Sequence, residues 1–288
     1  MNPQHDEHAG RAPMAFPPGH FYSPIADIDA VQRDADRIWS DDTAASSVMP
    51  VEPQLELLRR LQGHYCDLLP WTAQQQRGLR FYHGQFFFWG TDALVWFGVL
   101  LEFRPRRVIE VGSGHSSHLL IDVNEHLCNG DMVLTFIEPY PERLQSALAD
   151  SDADRIEILP MRVQDVPLAR FESLQAGDVL FIDSSHVSKC GSDVNHLFFE
   201  VLPRLSDGVL IHVHDIFWPF EYPRHWIEKG RGWNEVHVLR GLLADSRRYQ
   251  PLLFVDQLLQ LHSECFEPER ALHSEVGAHG SFWMQVRS

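Results

Sequence analysis

The feature that most constrains this chain is a turn. Val108-Ile109-Glu110-Val111 is a short apolar run that stops at Gly112-Ser113-Gly114, after which Ser116 or Ser117 can cap a helix reaching about Cys128. Two glycines between a strand and a helix let backbone come close to a ligand that a Cβ would exclude. The same alternation then continues along the chain. Met132 to Ile137 is a second strand ending at Glu138, Ile156 to Leu159 a third preceding Gln164-Asp165, and Asp178 to Asp183 a fourth. A helix opened by Ser192 and running to Leu205 leads to a fifth strand, Gly208 to Val213, which runs into His214-Asp215. Trp233 to Ser246 reads as helical, and Pro251 to Val255 and Ser281 to Arg287 are further strands. Strands that alternate with helices require right-handed parallel crossovers, and ligands of such sheets sit beyond the carboxyl ends of the strands. Chemistry is therefore expected at residues 110–117, 138, 164–165, 183–193 and 212–217.

Upstream of Arg106, apolar residues fall at helical spacing in Asp27 to Trp39 and Pro53 to Leu69, and Asp92 to Phe103 is a more buried helix. These predict an organisation of a flexible tail over 1–20, a helical cap over 21–104 and an α/β catalytic domain over 105–288. Ala93 to Leu101 is the longest purely apolar stretch, far short of the ~20 residues that a membrane-spanning helix needs. The 24 Lys and Arg against 40 Asp and Glu leave a net charge of -16, which repels phosphate backbones and anionic lipid surfaces. Neither nucleic acid nor a membrane is an expected partner. Cys66, Cys128, Cys190 and Cys265 are widely spaced, without a C-x-x-C pair, so reduced thiols in a cytoplasm are the simplest expectation. The first twenty residues lack a basic start followed by an apolar run, the pattern of a secretory signal.

At the end of the second strand Glu138 can accept both hydroxyls of a ribose, and with the glycine turn this points to an adenosine-type ligand. Taken singly, the glycines are also an ordinary turn and Glu138 a solvated acid. Ser117 stands where a dinucleotide fingerprint carries its third glycine, which disfavours a nicotinamide dehydrogenase. Arg107 to Gly114, Phe136-Ile-Glu-Pro-Tyr140, Val163-Gln-Asp165 and Phe181-Ile-Asp-Ser-Ser-His186 together resemble the successive motifs of class I S-adenosylmethionine-dependent methyltransferases, over roughly Arg106 to Tyr222. More narrowly, Asp183-Ser-Ser-His186 followed by His214-Asp215-Ile216 is similar to a bacterial subgroup of natural-product and sugar O-methyltransferases. The resemblance implies a Rossmann-like, mostly parallel seven-stranded sheet with an antiparallel final strand and S-adenosyl-L-methionine as cofactor. It also implies that Glu110, Gly112 and Gly114 border the methionine part, that Glu138 holds the ribose, that Gln164 and Asp165 meet the adenine, and that Ser113, Ser117 and Asp183 also belong to the cofactor site.

Methyl transfer to a hydroxyl needs alignment and removal of a proton. His186 suits a base, because imidazole titrates near neutrality, and it lies just past Asp183; a His bonded to a loop carbonyl is the alternative. Neighbouring fourth and fifth strands would bring Asp183 near His212, His214 and Asp215. In metal-dependent relatives a Glu-Asp pair at the fifth strand joins the fourth-strand Asp to hold Mg²⁺; here His214 replaces the Glu. That points away from Mg²⁺ toward Mn²⁺, Fe²⁺ or Zn²⁺ on Asp183, His214 and Asp215, toward no metal, or toward a structural hydrogen-bond network. The aromatic run Phe86 to Phe88 is expected in the core, and Trp218 to Tyr222 as a pocket wall or lid. The expected activity is methylation of a small-molecule hydroxyl, with His186, Asp183 and His214 as catalytic residues. Two other readings stand beside it: a protein that binds an adenosyl ligand without catalysis, and a metal-dependent hydrolase or oxygenase using the His-x-His-Asp cluster. Self-association into a homo-oligomer stays open.

Overall fold

The computed structural model describes residues 14–40, 49–152, 154–266 and 279–287. Its helices are α1 (Ile28–Arg33), α2 (Ala35–Ile38), α3 (Val51–Gly63), α4 (Gly90–Phe103), α5 (His115–Leu127), α6 (Glu142–Gln145), α7 (Leu168–Glu172), α8 (Asp193–His196), α9 (Arg224–Glu228), α10 (Glu235–Leu243) and α11 (Val255–Leu261). The strands are β1 (Arg107–Val111), β2 (Val133–Ile137), β3 (Ile156–Leu159), β4 (Val179–Ile182), β5 (Leu210–Val213), β6 (Tyr249–Phe254) and β7 (Phe282–Val286). They form one seven-stranded sheet in the order β3-β2-β1-β4-β5-β7-β6, in which β7 alone runs antiparallel to its neighbours. This is the Rossmann-like sheet that the family resemblance implies.

The register decides where the site lies. Val111 pairs with Ile137 on one side and Ile182 on the other, and Ile182 pairs with Val213, so residues 112, 138, 183 and 214 emerge side by side at one edge. The ladder continues past the strands: Gly112 donates to the Ile137 carbonyl, Asp183 to Val111 and His214 to Ile182, all at 2.8–3.0 Å. The chain leaves β1 toward β2 and returns on its other side as β4, which makes this edge the topological switch point where such sheets bind ligands.

Helix α4 is apolar nearly all round, with Asp92 and Glu102 its only charges, and it is buried from Ala93 to Leu101. A helix of that kind needs cover on every side. Leu57, Leu58 and Leu61 on one face of α3 supply part of it, each buried side chain contributing roughly 1.5–3 kcal/mol. Gly98 permits the approach, since a Cβ there would stand 2.8 Å from that of Leu61. These residues share a single apolar cluster with Val108, Phe181, Leu210 and Trp283 of the sheet. The expected boundary near residue 104 is therefore absent: α3 and α4 are layers of the sheet domain, not a cap over it.

The chain divides instead into a small unit, Met1–Ser40 with Pro223–Gly232, and a large one, Asp41–Tyr222 with Trp233–Ser288. In the small unit Asp27 caps α1 by accepting from the amides of Asp29 and Ala30, Gln32 reaches Glu228, and Arg231 lies over the Trp226 ring at 4.1 Å. The single helix expected over 27–39 breaks at Asp34 into α1 and α2. Most of the expected tail, residues 1–13, lies outside the described residues.

The aromatic expectations are reversed except at Phe88. Phe86 and Phe87 are 82% and 63% exposed, because buried Gln85 accepts from the Phe87 and Phe88 amides and fixes a turn that displays them. Phe88 does pack inward, whereas Trp218, Phe220 and Tyr222 are fully buried, with Trp218 and Phe220 packed on Phe254. That segment is core rather than lid. No helix of the described residues is long and apolar enough to cross a membrane, and the four cysteines are unpaired.

Candidate active site

The β1 turn is made for glycine. Gly112 has φ +84°, and a Cβ on it would sit 1.8 Å from the Asp183 carbonyl oxygen, so the ends of β1 and β4 meet at a distance no side chain allows. Gly114 then ends the turn, its amide donating to Ser117 Oγ at 2.9 Å, so the serine that replaces a third glycine closes the start of α5. Beneath the turn Glu110 is wholly buried, bonded by the Ser116 and Ser117 hydroxyls while its second oxygen has no partner. Burial pushes its carboxyl up to about 8 against those bonds. It braces the turn from below.

Beside the turn a cleft of about 490 Å³ is lined by Gly112, Glu138, Gln164, Asp183, Ser185 and Lys189, among others. Glu138 accepts from the Tyr140 amide at 2.9 Å, which holds its carboxylate at the end of β2, and burial raises its affinity for a proton. Gln164 lines the far side and donates to the Gly191 carbonyl at 3.0 Å. Asp165 does not line it. Arg162 grips that carboxylate through two bonds of 2.8 and 2.9 Å at the surface, so Asp165, expected at the adenine, is engaged here in an ion pair of its own turn.

Past β4 the chain turns through Asp183-Ser-Ser-His186, and His186 adopts a left-handed backbone conformation (φ +60°). Asp215, after β5, does the same (φ +56°), with Gly280 packed against its backbone. Two such non-glycine residues in one cluster are strain that the surrounding structure sustains, and it gathers at functional sites. His186 Nδ1 lies 2.9 Å from Glu235 Oε2, and its Nε2 lies 3.4 Å from Asp183 and 3.5 Å from Asp215. Its ring packs on Trp233, and its carbonyl accepts from the amides of Asn234 and Glu235 at the start of α10. Ser184 Oγ donates to the other Glu235 oxygen at 2.9 Å.

Burial alone would strip the proton from His186, but the bonds to Asp183 and Glu235 and the field of Asp215 outweigh it and hold the imidazole well above its ordinary range. That environment favours the protonated ring. Asp183 is held below the usual carboxylate range: the desolvation that would raise it is overcome by His214, His186 and Arg143. Asp215, by contrast, is raised, burial exceeding the help it gets from His214 and His186. Side-chain exposure falls from 33% at Asp183 and 20% at Asp215 to 7% at His186 and none at Glu235. The two aspartates therefore stand between the imidazolium and solvent.

Glu235 has no counterpart in the sequence expectations. An acid in the first turn of a helix ordinarily marks a solvated helix start, and nothing local shows that this one is buried on His186. His212 turns out to be core: it stacks on Phe181 at 3.8 Å, bonds Ser281 at 3.2 Å, and is kept neutral by burial. His214 packs against Phe88, and its Nε2 lies 3.8 Å from Asp215.

The expected metal site on Asp183, His214 and Asp215 is not built. The space shared by Asp183 and Asp215 is taken by His186 Nε2, 3.4 and 3.5 Å from their oxygens. Among the described residues no group of three His, Cys, Asp or Glu side chains is arranged to hold a metal ion. The donor set does not fit the group, and with it goes the footing for a metal-dependent hydrolase at this corner.

Residues 109–216 match the family model described as a methyltransferase domain. An uncharacterized protein of Archaeoglobus fulgidus is 35% identical over 167 residues, covering 56% of this chain and 74% of that one. Among solved structures, the O-methyltransferase TomG of Streptomyces achromogenes, involved in tomaymycin synthesis, is 15% identical, with 90% of this chain and 96% of that one covered and a TM-score of 0.43. A Staphylococcus aureus protein described as a putative caffeoyl-CoA O-methyltransferase is 13% identical, with 90% and 98% covered and a TM-score of 0.44. Those two likenesses are distant. The sheet order, the glycine turn at its switch point and the family match define an α/β transferase domain. Residues 109–216 are thus a methyltransferase domain, and the sheet that carries it has the Rossmann-like fold of class I S-adenosylmethionine-dependent methyltransferases.

Proposed function

We propose that this chain transfers a methyl group from S-adenosyl-L-methionine to a hydroxyl of a small-molecule acceptor. The observation that carries the reading is the pair of aspartates beside the glycine turn, both within 3.5 Å of His186 Nε2, of which Asp215 is raised by burial while the cations around Asp183 hold it down. Two carboxylates separated in this way divide the labour of an acid–base site. When bound in the cleft, the donor supplies an activated methyl on a cationic sulfur, and the protein has to hold it, present a nucleophile and take one proton. Gly112 and Gly114 offer backbone, and Glu138 offers a carboxylate to the ribose hydroxyls.

Asp183 stays anionic and faces the cleft, where a negative charge favours a cationic donor over its neutral product. Asp215 takes the acceptor's proton, because a carboxylate raised toward neutrality is the stronger base of the two. His186 acts as a positioning residue: fixed by Glu235, it bonds both aspartates and spreads the charge of the proton that arrives. The coupled group titrates as one unit. This moves the base from His186, where residue type alone places it, to the aspartate in front of it.

The acidic chain favours a neutral or cationic small acceptor over nucleic acid, and its unpaired cysteines agree with a cytoplasmic setting. Calorimetric titration of the full chain with S-adenosylhomocysteine tests the donor half. Saturable one-to-one binding is expected, and its absence would overturn the reading. Asp215→Asn and His186→Ala, assayed on a panel of phenols and alcohols, test the acceptor half. Both should bind S-adenosylhomocysteine as the parent does and turn over slowly; undiminished turnover in Asp215→Asn would remove it as base.

A further inference from the structure

Asp92 has no part in the reaction derived above, yet it is wholly buried and its charge is felt at His214 and Asp215. It stands in the first turn of α4, where an aspartate ordinarily serves the free amides of its own helix. Its carboxylate goes elsewhere. Oδ2 accepts from the Gly280 amide at 3.1 Å and Oδ1 from the Ser281 amide at 3.0 Å, at the entry to β7 and nearly two hundred residues away in the chain. Burying a charge is costly unless it is hydrogen-bonded, and these two amides are what Asp92 binds.

The segment that Asp92 holds lies directly against Asp215. A Cβ on Gly280 would stand 2.8 Å from the Asp215 Cα and 3.1 Å from its Oδ1, and the Gly280 carbonyl accepts from the Ile216 amide at 2.9 Å. Asp215 has left-handed backbone (φ +56°), a conformation that persists only where its surroundings impose it. A second wholly buried acid fixes the flanks of the same contact. Asp256 pairs with His279 on the β7 side, and on the β5 side it accepts from the Trp218 amide at 2.6 Å. Residues 279–281 and 215–218 are thus pressed together between two buried carboxylates, of which Asp92 is the one bonded to Gly280 itself.

We propose that Asp92 is a positioning residue for the proton transfer: by holding Gly280 and Ser281 it sets the entry of β7 against the Asp215 backbone, and so fixes the carboxylate that takes the acceptor's proton. The assignment rests on Asp215 being that base and extends the reading to what keeps the base in place. A reacting group misplaced by about 1 Å can lose on the order of a hundredfold in rate. The donor cleft is lined by neither Asp92 nor Gly280, so donor affinity does not depend on the clamp.

A double-mutant cycle in the full chain tests this: parent, Asp92→Asn, Asp215→Asn and the two together, each titrated with S-adenosylhomocysteine and assayed on the phenols and alcohols that the parent methylates. Asparagine keeps the shape of Asp92 but turns an amide group toward one of the two backbone amides, so one of the bonds is lost. Asp92→Asn should lower turnover about tenfold or more while S-adenosylhomocysteine affinity changes less than about twofold. It should slow Asp215→Asn no further, because the base that it positions is already gone. Losses that multiply in the double variant, or full turnover in Asp92→Asn beside a slow Asp215→Asn, would overturn the Asp92 assignment and leave the base reading standing. Full turnover in Asp215→Asn would overturn both. Amide hydrogen exchange supplies a readout that needs no acceptor: in Asp92→Asn the Ile216 amide should lose protection together with those of Gly280 and Ser281, while that of Gly112 keeps it. An Ile216 amide as protected as in the parent would sink the proposal. Should Asp92→Asn fail to fold, Gly280→Ala disturbs the same contact with Asp92 intact and should reproduce the kinetic pattern; parental turnover in that variant would overturn the contact on which the assignment stands.

Discussion

The two halves of the site are built from different material. On the donor side the work is done by backbone: Gly112 under the Asp183 carbonyl, the Gly114 amide on Ser117, and ladder bonds that run past the strand ends. On the catalytic side it is done by charged side chains from three separate stretches, Asp183 with His186, His214 with Asp215, and Glu235. The first half tolerates almost no change of shape, while the second tolerates changes of shape but not of charge. Mutations can pull the two apart.

The largest expected effect is on the backbone side. Gly112→Ala places a Cβ 1.8 Å from a carbonyl oxygen on a residue whose φ is +84°, and the obstruction is main chain, which cannot swing aside. Adopting left-handed backbone costs alanine about 1 kcal/mol by itself, and separating β1 from β4 to relieve the contact costs several more. Thermal melting should show a protein destabilised by more than 3 kcal/mol or unfolded, with S-adenosylhomocysteine binding lost. A stable variant that binds normally would mean that the turn is not the rigid element described.

Next comes the charge side. Asp215→Asn keeps the shape of the corner and removes the base, so turnover should fall roughly 10²–10⁴-fold, the usual range for losing a general base. Melting temperature and S-adenosylhomocysteine affinity should move little. If affinity fell as far as turnover, the two halves would be one unit, and the contrast between backbone and charge would fail.

These two positions also show what a sequence can and cannot reveal. Gly112, Gly114 and Glu138 are legible because a strand, a glycine turn and a strand-end acid are local patterns, and parallel register places their ends abreast without further information. The antiparallel β7 was legible only through family resemblance. Glu235 was not legible, because its partner His186 is 49 residues away and only the packing of α10 brings them together. Nothing in the local sequence showed that Arg162 holds Asp165 within the same turn. Phe86 and Phe87 misled because a run of phenylalanines reads as core, and the Gln85 side chain that turns them outward has no distinctive spacing. The metal expectation failed for a similar reason: the chain order of Asp183, His214 and Asp215 does not reveal that His186 folds back between the acids.

A third test lies below the turn. Glu110 is raised from an ordinary value of 4.5 to about 8, mainly by burial. A buried acid with a raised pKa binds its proton more tightly in the folded state. Stability should therefore be lost progressively as pH rises from about 4.5 toward 8 and be flat above that, each pH unit across the interval being worth at most about 1.4 kcal/mol. Glu110→Gln mimics the neutral carboxyl and should be the more stable protein at pH 8, by a few kcal/mol, and equal to the parent near pH 4.5. Parallel stability curves for parent and variant would show that Glu110 is not held neutral by its site.

The smallest expected effect sharpens the comparison most, because it sets two acids of the same cleft region against each other. Glu138 is half-buried, pinned by the Tyr140 amide and lines the cleft; Asp165 is exposed and held by Arg162 outside it. Glu138→Ala should lower S-adenosylhomocysteine affinity about tenfold, which is about 1.4 kcal/mol, by removing the acceptor for two ribose hydroxyls. Asp165→Ala removes only a surface ion pair, of a kind worth about 0–1 kcal/mol to stability, and should change affinity less than twofold. Calorimetry on both variants distinguishes a cleft that reads its ligand by buried placement from one that reads it by motif. If Asp165→Ala costs as much as Glu138→Ala, then Arg162 releases the acid when the ligand arrives, and the adenine contact implied by the sequence is made after all.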